Sequence, residues 1–207
     1  MKEKYGTLQV TGTGDIKVAP DEAVVKLRVL TEGKTASEAV AMAAKQTDAV
    51  LKAVSAQPNH GVTTTGLGVS PVITYDPKTN VPSIVGFRAS NGVQIRTKVS
   101  YAGQVFDAGV KAGANQSSGI DFRLQDETPF REDALRMAVK AACKEARLVA
   151  KSADVEIEGP EMIEIDPRPT QLFYRAQALE AKSVATPVIP EDLTVSASVQ
   201  IKFRTKG

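Results

Sequence analysis

PFREDALRMAVKAACKEARLVAKSAD, residues 129–154, is the longest uninterrupted helical pattern in the chain, and the remainder reads as strands and shorter helices arranged around it. Leu135, Ala138, Ala142, Ala146, Val149 and Ala153 recur at steps of three and four. This spacing places them on one face of an α-helix about 36 Å long, at about 1.5 Å per residue. The face is mostly alanine. Small side chains let a helix lie close and flat on a sheet, and Leu135, Val139 and Val149 are expected to supply most of the buried area. Thr128 is placed to cap the start, and Pro129 fits the first helical position, where its missing N–H costs nothing. Glu132 and Asp133 then suit the positive end of the helix dipole. At the far end Asp154 stands where a glycine would be the usual stop.

Upstream, residues 7–18 alternate, with Leu8, Val10, Ile16 and Val18 on one side and Thr7, Gln9, Thr11, Thr13, Asp15 and Lys17 on the other, the pattern of a half-buried strand. Gly12 and Gly14 fall on the apolar side, which signals a bulge or the close approach of another element. VTGTGD lacks the lysine of a P-loop and the third glycine of a dinucleotide fingerprint, so these glycines read as structural. Ala19-Pro20-Asp21-Glu22 has turn chemistry, and a hairpin to a second strand, Ala23 to Thr31, is expected. Thr35-Ala36-Ser37-Glu38 is a capping box opening a helix to about Ala56, with Val40, Ala43, Val50, Leu51 and Val54 as its apolar face. Val62 to Tyr75 and the segment from Val85 read as a second hairpin around the loop Asp76 to Asn80, followed by a short helix from Tyr101 to Ala112. Ile120, Phe122 and Leu124 mark a strand leading to the long helix. Beyond it come short strands in residues 155–165, a proline-rich irregular segment, Asp166 to Asp192, and a clear last strand. In that strand Leu193, Val195, Ala197, Val199, Ile201 and Phe203 face one way.

With 42% hydrophobic and 24% charged residues the chain has an ordinary globular composition, and a net charge of +2 provides no strong overall field for nucleic acid or an anionic membrane. No apolar run of about 18 residues is present to span a bilayer. The opening MKEKYGTLQV has a charged start with no apolar segment behind it, so a cytoplasmic location is expected if the chain is native as given. The single histidine, His60, lies in a PNHG turn with no nucleophile to pair with it and reads as a surface turn residue. Cys143, also single, sits beside the alanine face and reads as buried and unreactive. Glu161, Glu164 and Asp166 lack calcium-loop spacing and read as a solvated acidic edge. No cofactor, metal or catalytic constellation is expected, and the chain is read as a non-enzyme, with an unrecognised hydrolase as an alternative.

Two features carry more information. Arg136, Lys140, Lys144, Arg147 and Lys151 follow steps of four and three and form a basic stripe opposite the apolar face of the long helix. An ordinary solvated face explains it, and an anion or subunit contact is the functional reading. Leu172, Phe173 and Tyr174 stand together inside the proline-rich segment, an apolar triplet suited to an assembly contact.

Taken in order, VTGTGDIKVAPDEA (10–23), EGKTASEAV (32–40), GFRASNGVQIR (86–96), FDAGVKAGANQSSGIDFRLQDE (106–127) and TPVIPEDLTVSASVQIKF (186–203) resemble the SIMPL-domain family of bacterial envelope proteins. The resemblance implies a two-part α+β protein that is exported to the periplasm or cell envelope, self-associates as a homo-oligomer and is linked to oxidative-stress resistance. It carries over no catalytic residue. The chain departs from the family pattern in lacking an export signal and in having SADVEI where a glycine usually follows the long helix. The expected architecture is α+β: two interlocked α/β sandwich parts, mainly antiparallel, with three helices, the longest about 129–153. Residues 1–90 with 190–207 would form the first part, and 91–189 the second. The expected role is binding or scaffolding with no specific nucleic acid and a ligand the sequence does not name, the alternative being an anion-binding module on the basic stripe.

Overall fold

The structure, a computed structural model, describes residues 5–166, 175–176 and 186–207. It is α+β, with antiparallel strands in two sheets and three α-helices among the described residues. The chain divides into two compact units, one built from Met1–Ala19, Gln125–Leu172 and Asp192–Gly207, the other from Pro20–Leu124 and Phe173–Glu191. These boundaries differ from the expected division at 90 and 190, because the strand after Pro20 joins a different sheet from the strand before it.

In the first unit, β1 (Tyr5–Val18) pairs antiparallel with β8 (Leu193–Lys206) along its whole length, from Tyr5 opposite Lys206 to Val18 opposite Leu193. The other edge of β8 pairs with β6 (Glu156–Ile165), giving the order β1-β8-β6. The expected hairpin between residues 7–18 and 23–31 is therefore absent: β1 takes the C-terminal strand as its partner, and Ala19-Pro20 is the crossing between units. The alternation read in β8 holds, since Leu193, Val195, Ala197, Val199, Ile201 and Phe203 are all buried.

Helix α3 (Thr128–Ser152) covers this sheet with a face that keeps Ala138, Ala142 and Ala146 of the expected one, with Leu135 at its margin, but is turned away from Val149 and Ala153. Ala134, Ala138, Ala142, Ala146 and Ala150 are buried at a constant step of four, whereas Val139 and Val149 are 40% exposed and Ala153 is exposed. The reason lies in β1. A Cβ added at Gly12 would meet the backbone nitrogen of Ala142 at 2.6 Å and its Cβ at 2.9 Å, and one added at Gly14 would meet Met137 Cβ at 2.7 Å. The alanine ridge thus lies on bare backbone, and no larger side chain fits between helix and strand. Bulk comes instead from the sheet, where Val10, Val199, Ile201 and Phe203 cluster with the alanines.

The helix ends are built differently from the expectation at one side and as expected at the other. Glu127, not Thr128, occupies the cap position without a side-chain bond, and the Asp126 carboxylate accepts from the Thr128 N–H at 2.9 Å. At the C-terminus Asp154 takes the left-handed conformation, φ 53°, and the Val155 N–H closes on the Ala150 carbonyl at 3.0 Å. This is the glycine-type stop made by a residue that pays conformational energy for it.

In the second unit the sheet order is β3-β4-β2-β5-β7, with β2 (Glu22–Gly33), β3 (Gly61–Tyr75), β4 (Pro82–Lys98), β5 (Gln116–Arg123) and β7 (Arg175–Ala176). α1 (Ala36–Ser55) and α2 (Ala102–Lys111) pack on it over a core of Val25, Leu27, Val29, Val50, Val54, Val93, Ile95, Val105, Ile120 and Phe122. The capping box is present: the Glu38 N–H donates to Thr35 Oγ1 at 3.2 Å, while the Glu38 carboxylate accepts from the Lys34 N–H at 3.0 Å. α1 buries Ala39, Ala43, Thr47, Val50 and Val54, leaving Val40 at its edge.

Two stability measurements follow. Gly12→Ala should lower the stability of the first unit by about 3 kcal/mol, since the clash is with helix backbone that has no rotamer to change. Asp154→Gly should raise it by about 0.5–1 kcal/mol by relieving the left-handed strain. Denaturant midpoints of the purified chain check both; a Gly12→Ala protein of unchanged midpoint would contradict the close packing.

Candidate functional site

Glu22, the first residue of β2, is the buried charged residue of the second unit among the described residues. Its side chain is 3% exposed and accepts from the Arg123 guanidinium at 2.5 Å. Its other oxygen lies 3.2 Å from His60 Nδ1. Register explains the first contact, because Glu22 and Arg123 are direct cross-strand partners on β2 and β5. The second comes from the turn after α1, where the His60 N–H donates to the Arg96 carbonyl at 2.7 Å and so brings the ring back over the sheet. His60 is therefore an exposed turn residue, as its setting suggests, but its ring is paired with Glu22. Burial pushes the Glu22 carboxyl up, but hydrogen bonds from Arg123 and His60, with the charges of Arg123 and Arg96, outweigh it and hold the group below its ordinary value of 4.5.

Neighbouring ion pairs are also internal. Lys26 pairs with Asp121, and Arg88 Nη2 meets the Glu32 carboxylate at 2.6 Å. The arrangement locks strands together: each charge is answered by a partner on the adjacent strand. A depression beside α1, about 330 Å³, is lined by Glu32, Gly33, Lys34, Glu38, Val72, Val85, Gly86 and Phe87.

In the first unit the basic stripe is where the spacing put it. Arg136, Lys140, Lys144, Arg147 and Lys151 are all exposed, on the side of α3 away from the alanine ridge. Arg136 is tied to Asp133 at 2.5 Å and Glu132 at 3.5 Å within its own helix, while Lys140, Lys144, Arg147 and Lys151 make no ion pair among the described residues. Cys143 is half-buried rather than buried, packed at the rim of the alanine cluster. On the acidic edge, Glu161 pairs with Lys202 at 3.1 Å and lines an open depression with Tyr5, Gly6, Thr7 and Arg204. Among the described residues no three His, Cys, Asp or Glu side chains converge as a metal site requires. Leu172, Phe173 and Tyr174 lie outside the described residues.

The structure adds one feature that the sequence reading passed over. Beyond Gly33 opposite Phe87, β2 ends, and β3 and β4 continue as a two-stranded arm that carries exposed Ile73, Tyr75, Ile84 and Val85, while exposed Val69 lies further in on β3, opposite Ala89. The signal was available as a run of alternating apolar residues without a single charge from Gly61 to Tyr75.

The family model for SIMPL, described as a protein of unknown function (DUF541), matches residues 8–203. The chain belongs to the SIMPL family. It is 26% identical over 223 aligned positions to the 26 kDa periplasmic immunogenic protein of Brucella melitensis biotype 1, covering all of this chain and 87% of that protein. The same identity and coverage hold for the protein of that name from Brucella abortus strain S19. The match takes in parts of all three pieces of the discontinuous first unit, β1 and β8 among them. No helix among the described residues is long and apolar enough to cross a membrane.

Glu22→Ala should cost about 1–3 kcal/mol, since it removes the acceptor of Arg123, whose guanidinium at 34% exposure keeps part of its hydration. The pH dependence has a definite sign. The folded pKa of Glu22 is depressed, so its stabilisation is fully present above the unfolded value of 4.5 and is lost as pH falls through the folded value. Denaturation midpoints at successive pH values below 4.5 should therefore fall more steeply in the wild type than in Glu22→Gln; equal slopes would count against the pairing.

Proposed function

We propose that this chain is a non-enzymatic, self-assembling protein of the periplasm or cell envelope that acts as a binding or scaffolding module. The observation that carries the reading is the contrast between its charges and its exposed apolar groups. Glu22, the carboxylate most withdrawn from water among the described residues, is committed to Arg123 and His60. Large apolar side chains are instead left in water along the β3–β4 arm. A catalytic centre requires convergent polar groups with an approach for substrate, whereas a scaffold requires contact surface. Membership of the SIMPL family and the periplasmic relatives support the envelope location, and the family resemblance is the sole ground for a link to oxidative-stress defence.

A second reading, an anion-binding module, is favoured by Lys140, Lys144, Arg147 and Lys151 on α3, which make no ion pair among the described residues. Its signature is salt: binding to heparin should weaken linearly in log–log form as salt rises, and the double variant Lys140→Glu, Lys144→Glu should abolish it.

Two measurements test the main reading. Light scattering of the purified chain should give a mass that is a multiple of the single-chain mass of 22.0 kDa, and fractionation of cells expressing the complete gene should place the protein in the periplasmic fraction. A single-chain mass at all concentrations, or recovery only with cytoplasmic markers, would overturn it.

A further inference from the structure

We propose that the β3–β4 arm is the surface through which the chain meets a second copy of itself, the two arms packing apolar face to apolar face. The inference rests on the self-assembly reading above and names the contact. Within the arm, β3 is regular from Gly68 to Val72 opposite Ser90 to Gly86, and the irregularity at Val72/Ile73 places the extra residue, Val85, in β4. Val69, Pro71, Ile73 and Tyr75 therefore share one face, and their cross-strand partners Ala89, Phe87, Ile84 and Pro82 lie on the same face. The opposite face is mainly polar, with Ser70, Thr74, Ser83 and Arg88.

The apolar face is a continuation of the core. Ala89 is fully buried against Ala39 and Ala43 of α1, and Phe87 packs at the margin of that cluster. Val69, the partner of Ala89 on the edge strand, is already 50% exposed, and further out along the ribbon the same face enters water: Ile73 is 49% exposed, Tyr75 60% and Ile84 61%. What covers Ala89 inside the unit is apolar and close-packed, and the row beyond it calls for the same kind of cover.

Charge and backbone decide the occupant. β3 has no Asp, Glu, Lys or Arg, and neither do residues 79–87; only Asp76 and Lys78, at the tip, carry charge. Such a surface can meet its own copy with no like-charge repulsion and has nothing to select a strongly acidic or basic partner. A bilayer is a poor fit, because beyond Phe87 the ribbon has unpaired backbone on both edges, which hydrocarbon would leave unsatisfied. Edge-to-edge strand addition is also obstructed: Pro71 has no N–H to give, and the ladder is broken between Thr65 and Gly68. The face remains. Two apolar rows covering each other remove on the order of 1,000 Å² from water, near the lower bound for a specific interface, so the contact is reversible and concentration-dependent.

Sedimentation of the full chain across a concentration series tests this, comparing the wild type with the double variant Ile73→Asp, Ile84→Asp and with Thr74→Asp on the polar face. The expected result is a wild type whose mass rises with concentration. The double variant should associate at least about 10-fold more weakly, and Thr74→Asp should be unchanged. Circular dichroism verifies folding, and Ile73→Ser with Ile84→Ser serves if the aspartates prevent it. A wild type that associates while the folded arm variant associates equally well overturns the arm as the contact and leaves self-assembly standing. A wild type that stays at single-chain mass overturns both.

Discussion

The first unit depends on the contact between a strand without side chains and a helix with very short ones. At Gly12 and Gly14 the backbone of β1 lies directly against α3, and the Ala134 to Ala150 ridge is the only kind of helix surface that could come so near. Each alanine buries little apolar area by itself, so the stabilisation comes from dispersion at close range and from the large residues this closeness leaves to the sheet. Phe203, Ile201 and Val199 on β8 fill the space to the side of the ridge. The two sequences are thus matched: glycine in the strand has meaning only because alanine recurs every fourth residue in the helix.

That match also shows which parts of the fold were legible. The existence and extent of α3, the capping box at Thr35 and Glu38, the β3–β4 hairpin and the alternation of β8 are all local patterns, and local patterns were read correctly. The buried face of α3 was misassigned in part because Val139 and Val149 outrank alanine in hydrophobicity, while the deciding term, the space left by Gly12 and Gly14, sits more than a hundred residues away. The start of α3 was misplaced by one residue because Thr128 is the stronger cap by type, yet the carboxylate of Asp126 reaches the Thr128 N–H first. The strand pairing of β1 had no local signal at all, and turn chemistry at Ala19-Pro20 suggested a neighbour that topology denies.

The site was less legible than the fold for the same reason. The partners of Glu22 lie 38 and 101 positions along the chain, so neither His60 nor Arg123 could be assigned to it from spacing. The basic stripe on α3 was readable because a helix face is a local object. The arm was readable in principle, but an uncharged alternating strand looks the same in sequence whether its apolar side is covered or left in water; only the end of α1 over Ala89 distinguishes the two.

The order in which the chain is made gives these features a further coherence. The second unit is almost contiguous, from Pro20 to Leu124, whereas β1 must wait for β8, more than 170 residues later, before it has any partner. A strand left unpaired for so long is an aggregation hazard when its apolar face is complete. In β1 that face is interrupted by Gly12 and Gly14, which weaken strand propensity and offer nothing for another strand to pack on. The residues that admit α3 in the finished fold are also those that make the waiting strand poor at finding the wrong partner. By contrast, β3 carries an uninterrupted apolar row yet pairs at once with β4, its neighbour in sequence. Its backbone is therefore satisfied early on one side, and the row that remains exposed is a property of the folded unit rather than of an unfolded segment.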